Sequence, residues 1–177
     1  MGDSLNRVTV DGLEVYNAGC EHESGRGDSS AFWDHVLEAG GRLGCIAADD
    51  THVAATDIGH ASTWVRVEER SREAVVEALR DGRSYASSGP VLHEVHRDGD
   101  VVEVECTGCR MIVLQMEREG GCAVVARAGE QTYGRVLARD RDGLITRAEL
   151  RSPRPDAAYV RLRAVDAEGR SAWTNPL

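Results

Sequence analysis

The sequence predicts an α/β segment followed by a β-rich, antiparallel, sandwich-like domain. Three observations carry this. Strand, helix and strand patterns follow one another over residues 13–48. The texture shifts abruptly to small polar residues at Arg83 to Pro90. Beyond that point short alternating runs are separated by turn dipeptides, with no long helical pattern. The domains are therefore placed at 1–90 and 91–177.

Asp11-Gly12 signals a turn, after which Leu13-Glu14-Val15-Tyr16-Asn17 alternates as a short strand. Ala18 to Asp28 is polar and reads as a loop carrying Cys20, Glu21, His22 and Glu23. Within it Arg26-Gly27-Asp28 spells an adhesion tripeptide, which in this acidic context reads as turn chemistry. Asp28 or Ser29 can cap a helix over Ala31 to Ala39 by accepting orphan backbone N–H groups. Phe32, Trp33, Val36 and Leu37 fall at helical spacing, with Trp33 as a core anchor, and Gly40-Gly41 supplies the left-handed stop. Leu43 to Ala48 is too short an apolar run for a usual helix and reads as a buried strand. The resulting βαβ unit implies parallel pairing. A brief strand at Trp64 to Val67 follows, then a helix over Arg72 to Arg80 that Ser71 caps and Gly82 ends.

In the second half the strand-like runs are Val91–Arg97, Val101–Cys106, Arg110–Met116, Ala123–Arg127, Thr146–Leu150 and Tyr159–Val165. Asp98-Gly99, Gly120-Gly121, Asp142-Gly143 and Glu168-Gly169 mark turns between them. Trp173 anchors the tail.

The formal net charge is −9. It argues against nucleic acid and anionic membranes as partners. The acidity is uneven: residues 1–90 hold sixteen Asp/Glu against eight Arg, and residues 91–177 fourteen against thirteen. All 21 basic residues are arginine, so Schiff-base lysine chemistry and a Walker-type lysine are excluded. No apolar run approaches the ~20 residues that span a bilayer, and the first ten residues lack a secretory apolar core. The expected location is cytoplasmic. The five cysteines include Cys106-Thr-Gly-Cys109, a lone C-x-x-C with no second pair, read as packing cysteines.

The stretch that carries chemistry is Arg42 to His52. Its apolar strand ends in Asp49, Asp50, Thr51 and His52. In α/β folds ligands gather at strand C-terminal ends. Asp50-x-His52 there sets a hard oxygen donor and an imidazole on one rim, a pairing suited to Zn²⁺, Mn²⁺ or Fe²⁺. Asn17 ends the preceding strand and can line the same rim. Ser87-Ser88-Gly89 lacks a nucleophile elbow, and its hydroxyls read as caps on backbone groups.

Several of these pieces occur in a family's order: Glu14-Val15-Tyr16-Asn17; Trp33-Asp34 with Leu37 and Gly40; Asp49-Asp50-Thr51-His52; Trp64-Val65; Ala78 to Pro90; and Ala172-Trp173-Thr174-Asn175-Pro176. With these motifs the chain resembles the C-terminal part of the PHP (polymerase and histidinol phosphatase) metallohydrolases, in their CehA/McbA-like branch. The resemblance implies a partial (β/α) barrel segment before the β domain, and metal at the strand ends held by Asp50 and His52. It implies hydrolysis of a small-molecule ester or phosphoester by a metal-bound hydroxide, with Asp49 or Asn17 orienting water or substrate.

The chain departs from the family in one respect. It has no His-x-His, the motif that opens PHP enzymes, so the early metal ligands are absent from this sequence. A catalytic zinc usually has three protein ligands, and Asp50 and His52 alone would hold a divalent metal weakly. The expectation is a phosphoesterase-type hydrolase incomplete as this chain, completed by another chain, a second copy or a missing segment. The alternative is a non-catalytic binding or assembly module on the same scaffold.

Overall fold

A computed structural model describes residues 10–118, 120–127 and 131–177. It corrects the expected fold class. The chain is mostly β, with 43% strand and 18% helix, its sheets are mainly antiparallel, and no closed or partial (β/α) barrel is present among the described residues. The chain divides into two compact units between Ala86 and Ser87. No helix among the described residues is long and apolar enough to cross a membrane.

The first unit runs β1 (Gly12–Asn17), α1 (Ala18–Ser24), α2 (Ser30–Glu38), β2 (Gly44–Ala48), α3 (Ala54–Asp57), β3 (Ser62–Val65) and α4 (Arg72–Arg80), and it ends within β4 (Ser84–Ser87), whose last residue opens the second. β1 and β2 pair in parallel, from Gly12 opposite Gly44 to Asn17 opposite Ala48. This is the βαβ unit that the hydrophobic spacing predicts. Val15, Trp33, Leu37, Cys45 and Ala47 are buried. The Trp33 indole N–H donates to the Leu43 carbonyl at 3.0 Å, so the largest apolar side chain of α2 also fixes the entry to β2.

The parallel sheet stops at two strands, and Thr63 supplies a physical reason. Its Oγ1 accepts from the Ala47 N–H at 3.0 Å and donates to the Ala47 carbonyl at 2.9 Å. A side-chain hydroxyl thus satisfies the backbone pair that a third parallel strand would engage. β3 instead neighbours β4. That short edge is where the barrel expectation fails.

The helix termini follow local chemistry. Ser71 Oγ accepts from the Ala74 N–H and caps α4. At α2 the position before the helix is Ser29, but Asp28 Oδ1 accepts the Ser30 N–H at 2.8 Å. Gly40, at φ +85°, turns the chain out of α2. The Arg26-Gly27-Asp28 tripeptide is tied down. Gly27 is buried, its N–H donates to Glu21 Oε2 and its carbonyl accepts from the Asn17 N–H. Arg26 and Asp28 are exposed, and Asp28 forms an isolated antiparallel bridge with Tyr16.

The second unit holds β5 (Leu92–Asp98), β6 (Val101–Cys109), β7 (Met111–Met116), β8 (Gly121–Val125), β9 (Gly134–Arg139), β10 (Ile145–Arg151), β11 (Val160–Val165) and β12 (Ser171–Thr174). One antiparallel sheet has the order β5-β6-β10-β9, and β12-β11-β7-β8 form an antiparallel run in another. Alternate residues turn inward: Val102 and Val104, Ile112 and Leu114, Leu162 and Ala164 are all fully or nearly fully buried. Each fully buried aliphatic side chain contributes about 1.5–3 kcal/mol. The Arg163 guanidinium lies 5.6 Å from the ring of buried Trp173. Ser87 Oγ donates to the Pro90 carbonyl and accepts from the Gly89 N–H, while Ser88 Oγ accepts from the Ser171 N–H. These serines hold backbone groups, as their composition predicts.

Candidate functional site

Because β1 and β2 are parallel neighbours, their C-terminal ends lie side by side, which brings Asn17 and Asp50 together. Asn17 Nδ2 donates to Asp50 Oδ2 at 3.2 Å and to Glu14 Oε2 at 3.1 Å. Its Oδ1 accepts the Cys20 N–H at 2.8 Å and so caps α1. One amide therefore starts a helix and bridges two exposed carboxylates. Asp50 adopts φ +55°, a left-handed conformation that Asp tolerates better than most residues. The Gly19 N–H donates to the Asp49 carbonyl, which draws the first turn of α1 against the end of β2. A Cβ on Gly19 would stand 3.3 Å from Asp50 Cβ, so glycine suits that approach.

Asp49, adjacent in sequence, is used differently. Its Oδ1 accepts the N–H groups of His60 at 2.8 Å and Ala61 at 2.6 Å, and its Oδ2 accepts that of Gly59 at 2.8 Å. Burial pushes its pKa up, but the bonds from Gly59, Ala61 and His60 and the nearby His60 side chain outweigh that and lower it. Asp57 works in the same loop. It accepts from the His52 and Val53 N–H groups through Oδ2 and from the Thr56 hydroxyl through Oδ1. The Thr56 hydroxyl and then the two backbone N–H groups depress its pKa to about 2. These two carboxylates close residues 49–61 into a self-tied loop.

His52 contributes its backbone to that closure, and the residue as a whole is exposed. The loop also folds His60 onto α1. The His60 and His22 rings meet edge to face, with centroids 4.7 Å apart, and His60 Nε2 sits 2.8 Å from the Thr56 carbonyl. Sequence reasoning places His22 in a solvated loop and offers His22, Glu23, Asp57 or His60 only as stand-ins for the missing metal ligands, with no contact between the two rings foreseen. The usable signal was Asn17 as a helix cap, which would have put Cys20 to Ser24 on a helical turn and His22 on its face.

The residues can be tested against the divalent ion that the family resemblance implies. Asp50 and His52 are suitable donor types. Among the described residues, however, no three His, Cys, Asp or Glu side chains gather as a metal-holding group. Asp49 and Asp57 have directed their oxygens at loop N–H groups and the Thr56 hydroxyl. The described donors do not fit a self-sufficient metal centre, and no catalytic step is derived through one.

A largely apolar cleft of about 160 Å³ lies elsewhere in this unit. Gly12, Gly44, Ile46, Val76 and Leu79 line it, beside the Asp11–Arg80 ion pair at 3.2 Å. Gly12 and Gly44 begin their strands, so the cleft and the Asn17–Asp50 rim occupy opposite ends of the same two-stranded sheet.

Comparison with protein-family models, with curated proteins and with solved structures finds no match in any of the three.

Proposed function

We propose that this chain supplies part of a PHP-type, metal-dependent phosphoesterase. It would contribute Asp50 and His52 as metal donors and Asn17 as a positioning group, and it would not turn over substrate alone. The observation that carries this reading is the Asn17–Asp50 contact at the C-terminal ends of two parallel strands. That location is where α/β folds assemble ligands. The missing donors would come from a complementing chain or a second copy, and the substrate would be a small ester or phosphoester. The proposed location is cytoplasmic, in keeping with five cysteines, none of them in a disulfide among the described residues.

The test is binding of Mn²⁺, Zn²⁺ and Fe²⁺ to the purified chain, followed by thermal shift and calorimetry. A weak stabilisation that Asp50→Ala removes is expected, together with no hydrolysis of an aryl phosphate. Absence of a shift with all three metals overturns the reading. Turnover by the chain alone, abolished by Asp50→Asn, would show a self-sufficient enzyme instead.

A second reading, a non-catalytic binding or assembly module, is favoured by the self-tied loop. Asp49 and Asp57 serve the loop backbone rather than an open site. Metal-dependent turnover, alone or with an added complementing chain, would refute it.

A further inference from the structure

The two cysteines of the C-x-x-C motif converge. In a regular strand, residues i and i+3 point to opposite faces. Here β6 advances from Glu105 to Cys109 while its partner β10 moves only between Arg147 and Ile145, so a bulge interrupts the ladder. The bulge takes up Thr107 and Gly108 and turns both Cys106 and Cys109 inward, at 3% and 0% exposure. Their sulfurs stand 3.9 Å apart, with Cys106 Sγ 3.8 Å from the Ile145 carbonyl oxygen. Cys122 Sγ lies instead 3.4 Å from the Arg151 carbonyl oxygen.

We propose that Cys106 and Cys109 form a reversible dithiol–disulfide pair, oxidised by a small hydroperoxide and reduced by thiols. The sulfurs need to close by about 2 Å to reach bonding distance. The hydrogen bond between them lowers the pKa of Cys106, against burial and the Glu105 charge, and raises that of Cys109. Cys106, 3% exposed against 0% for Cys109, is the sulfur a peroxide reaches first, and Cys109 is the resolving one. The Cys106 thiolate attacks one peroxide oxygen and the O–O bond breaks. Cys106 becomes a sulfenic acid, and the departing hydroxide takes up the proton that Cys106 released. The Cys109 sulfur then attacks the Cys106 sulfur, the S–O bond breaks, and water leaves with the Cys109 proton. Two thiols and one hydrogen peroxide give one disulfide and two waters, with two electrons passing from sulfur to oxygen.

The experiment treats the full chain with hydrogen peroxide, unfolds it in an alkylating agent and maps the peptides by mass. The expected result is joint loss of alkylation at Cys106 and Cys109. A linked mass two hydrogens lighter should replace it and revert with dithiothreitol. In Cys109→Ser the linkage should vanish and dimedone should trap a sulfenic acid on Cys106, which a packing role would not produce. The wild-type map stands by itself if that variant does not fold. The proposal is overturned if peroxide oxidises exposed Cys20 while Cys106 and Cys109 stay alkylatable, or if either links to another cysteine or another chain.

Discussion

Replacing Asp49 by alanine separates a structural from a catalytic role at the end of β2. The side chain holds three backbone N–H groups, those of Gly59, His60 and Ala61. Gly59 and His60 are exposed, so water replaces the lost carboxylate there. Losing such a side-chain cap costs about 0.5–2 kcal/mol. Ala61 is 8% exposed, and stranding its N–H costs about 1–3 kcal/mol. Together the loss is about 1.5–5 kcal/mol, concentrated in residues 49–61 and the first unit. Asp49→Asn keeps one carbonyl oxygen and should lose roughly half of that. The assay is amide hydrogen exchange, read at Ala61 and compared with Leu114 in the second unit. A 2 kcal/mol loss lowers Ala61 protection about thirtyfold, and Leu114 should be unchanged. If Ala61 protection in Asp49→Ala stays within about twofold of wild type, the carboxylate does not hold the loop and the argument fails.

Further outcomes follow from the same geometry. Asp57, with its pKa depressed from 3.8 to about 2, and Asp49, lowered as well, both stabilise the native loop as carboxylates. That contribution is complete above the unfolded carboxyl pKa and is lost as pH falls from about 4 toward 2. The His52 and Val53 amides should lose exchange protection over this window, and in Asp57→Asn they should be weakly protected at every pH. Gly27→Ala would set a Cβ 2.2 Å from the Asn17 carbonyl oxygen and 2.6 Å from Glu21 Cβ. Overpacking against backbone costs about 1–3 kcal/mol, so urea unfolding of the first unit, followed by tryptophan fluorescence, should shift to lower denaturant. An unchanged midpoint would show that α1 can move aside.

The elements with strong periodicity were legible in the residues themselves. Phe32, Trp33, Val36 and Leu37 mark α2, Val75, Val76 and Leu79 mark α4, and the alternation around Val102 and Ile112 marks β6 and β7. α1 was hidden because Ala18–Ser24 has little apolar face, and its helix rests on the Asn17 cap. β9 was hidden because Gly134–Arg139 is largely exposed, which leaves no buried stripe to read.

The residues by themselves determined a βαβ start, and with it the meeting of Asn17 and Asp50, since parallel pairing places both strand ends on one rim. Only the tertiary structure decided what adjacent Asp49 and Asp50 do. A left-handed turn at Asp50 leaves one carboxylate beside Asn17, while the other reaches N–H groups ten to twelve residues away. The tertiary structure also closed the parallel sheet with Thr63 and gathered Cys106 and Cys109 on one face. In each case the deciding bond is to backbone distant in sequence or to a partner strand's register. Neither is encoded in the spacing of neighbouring residues.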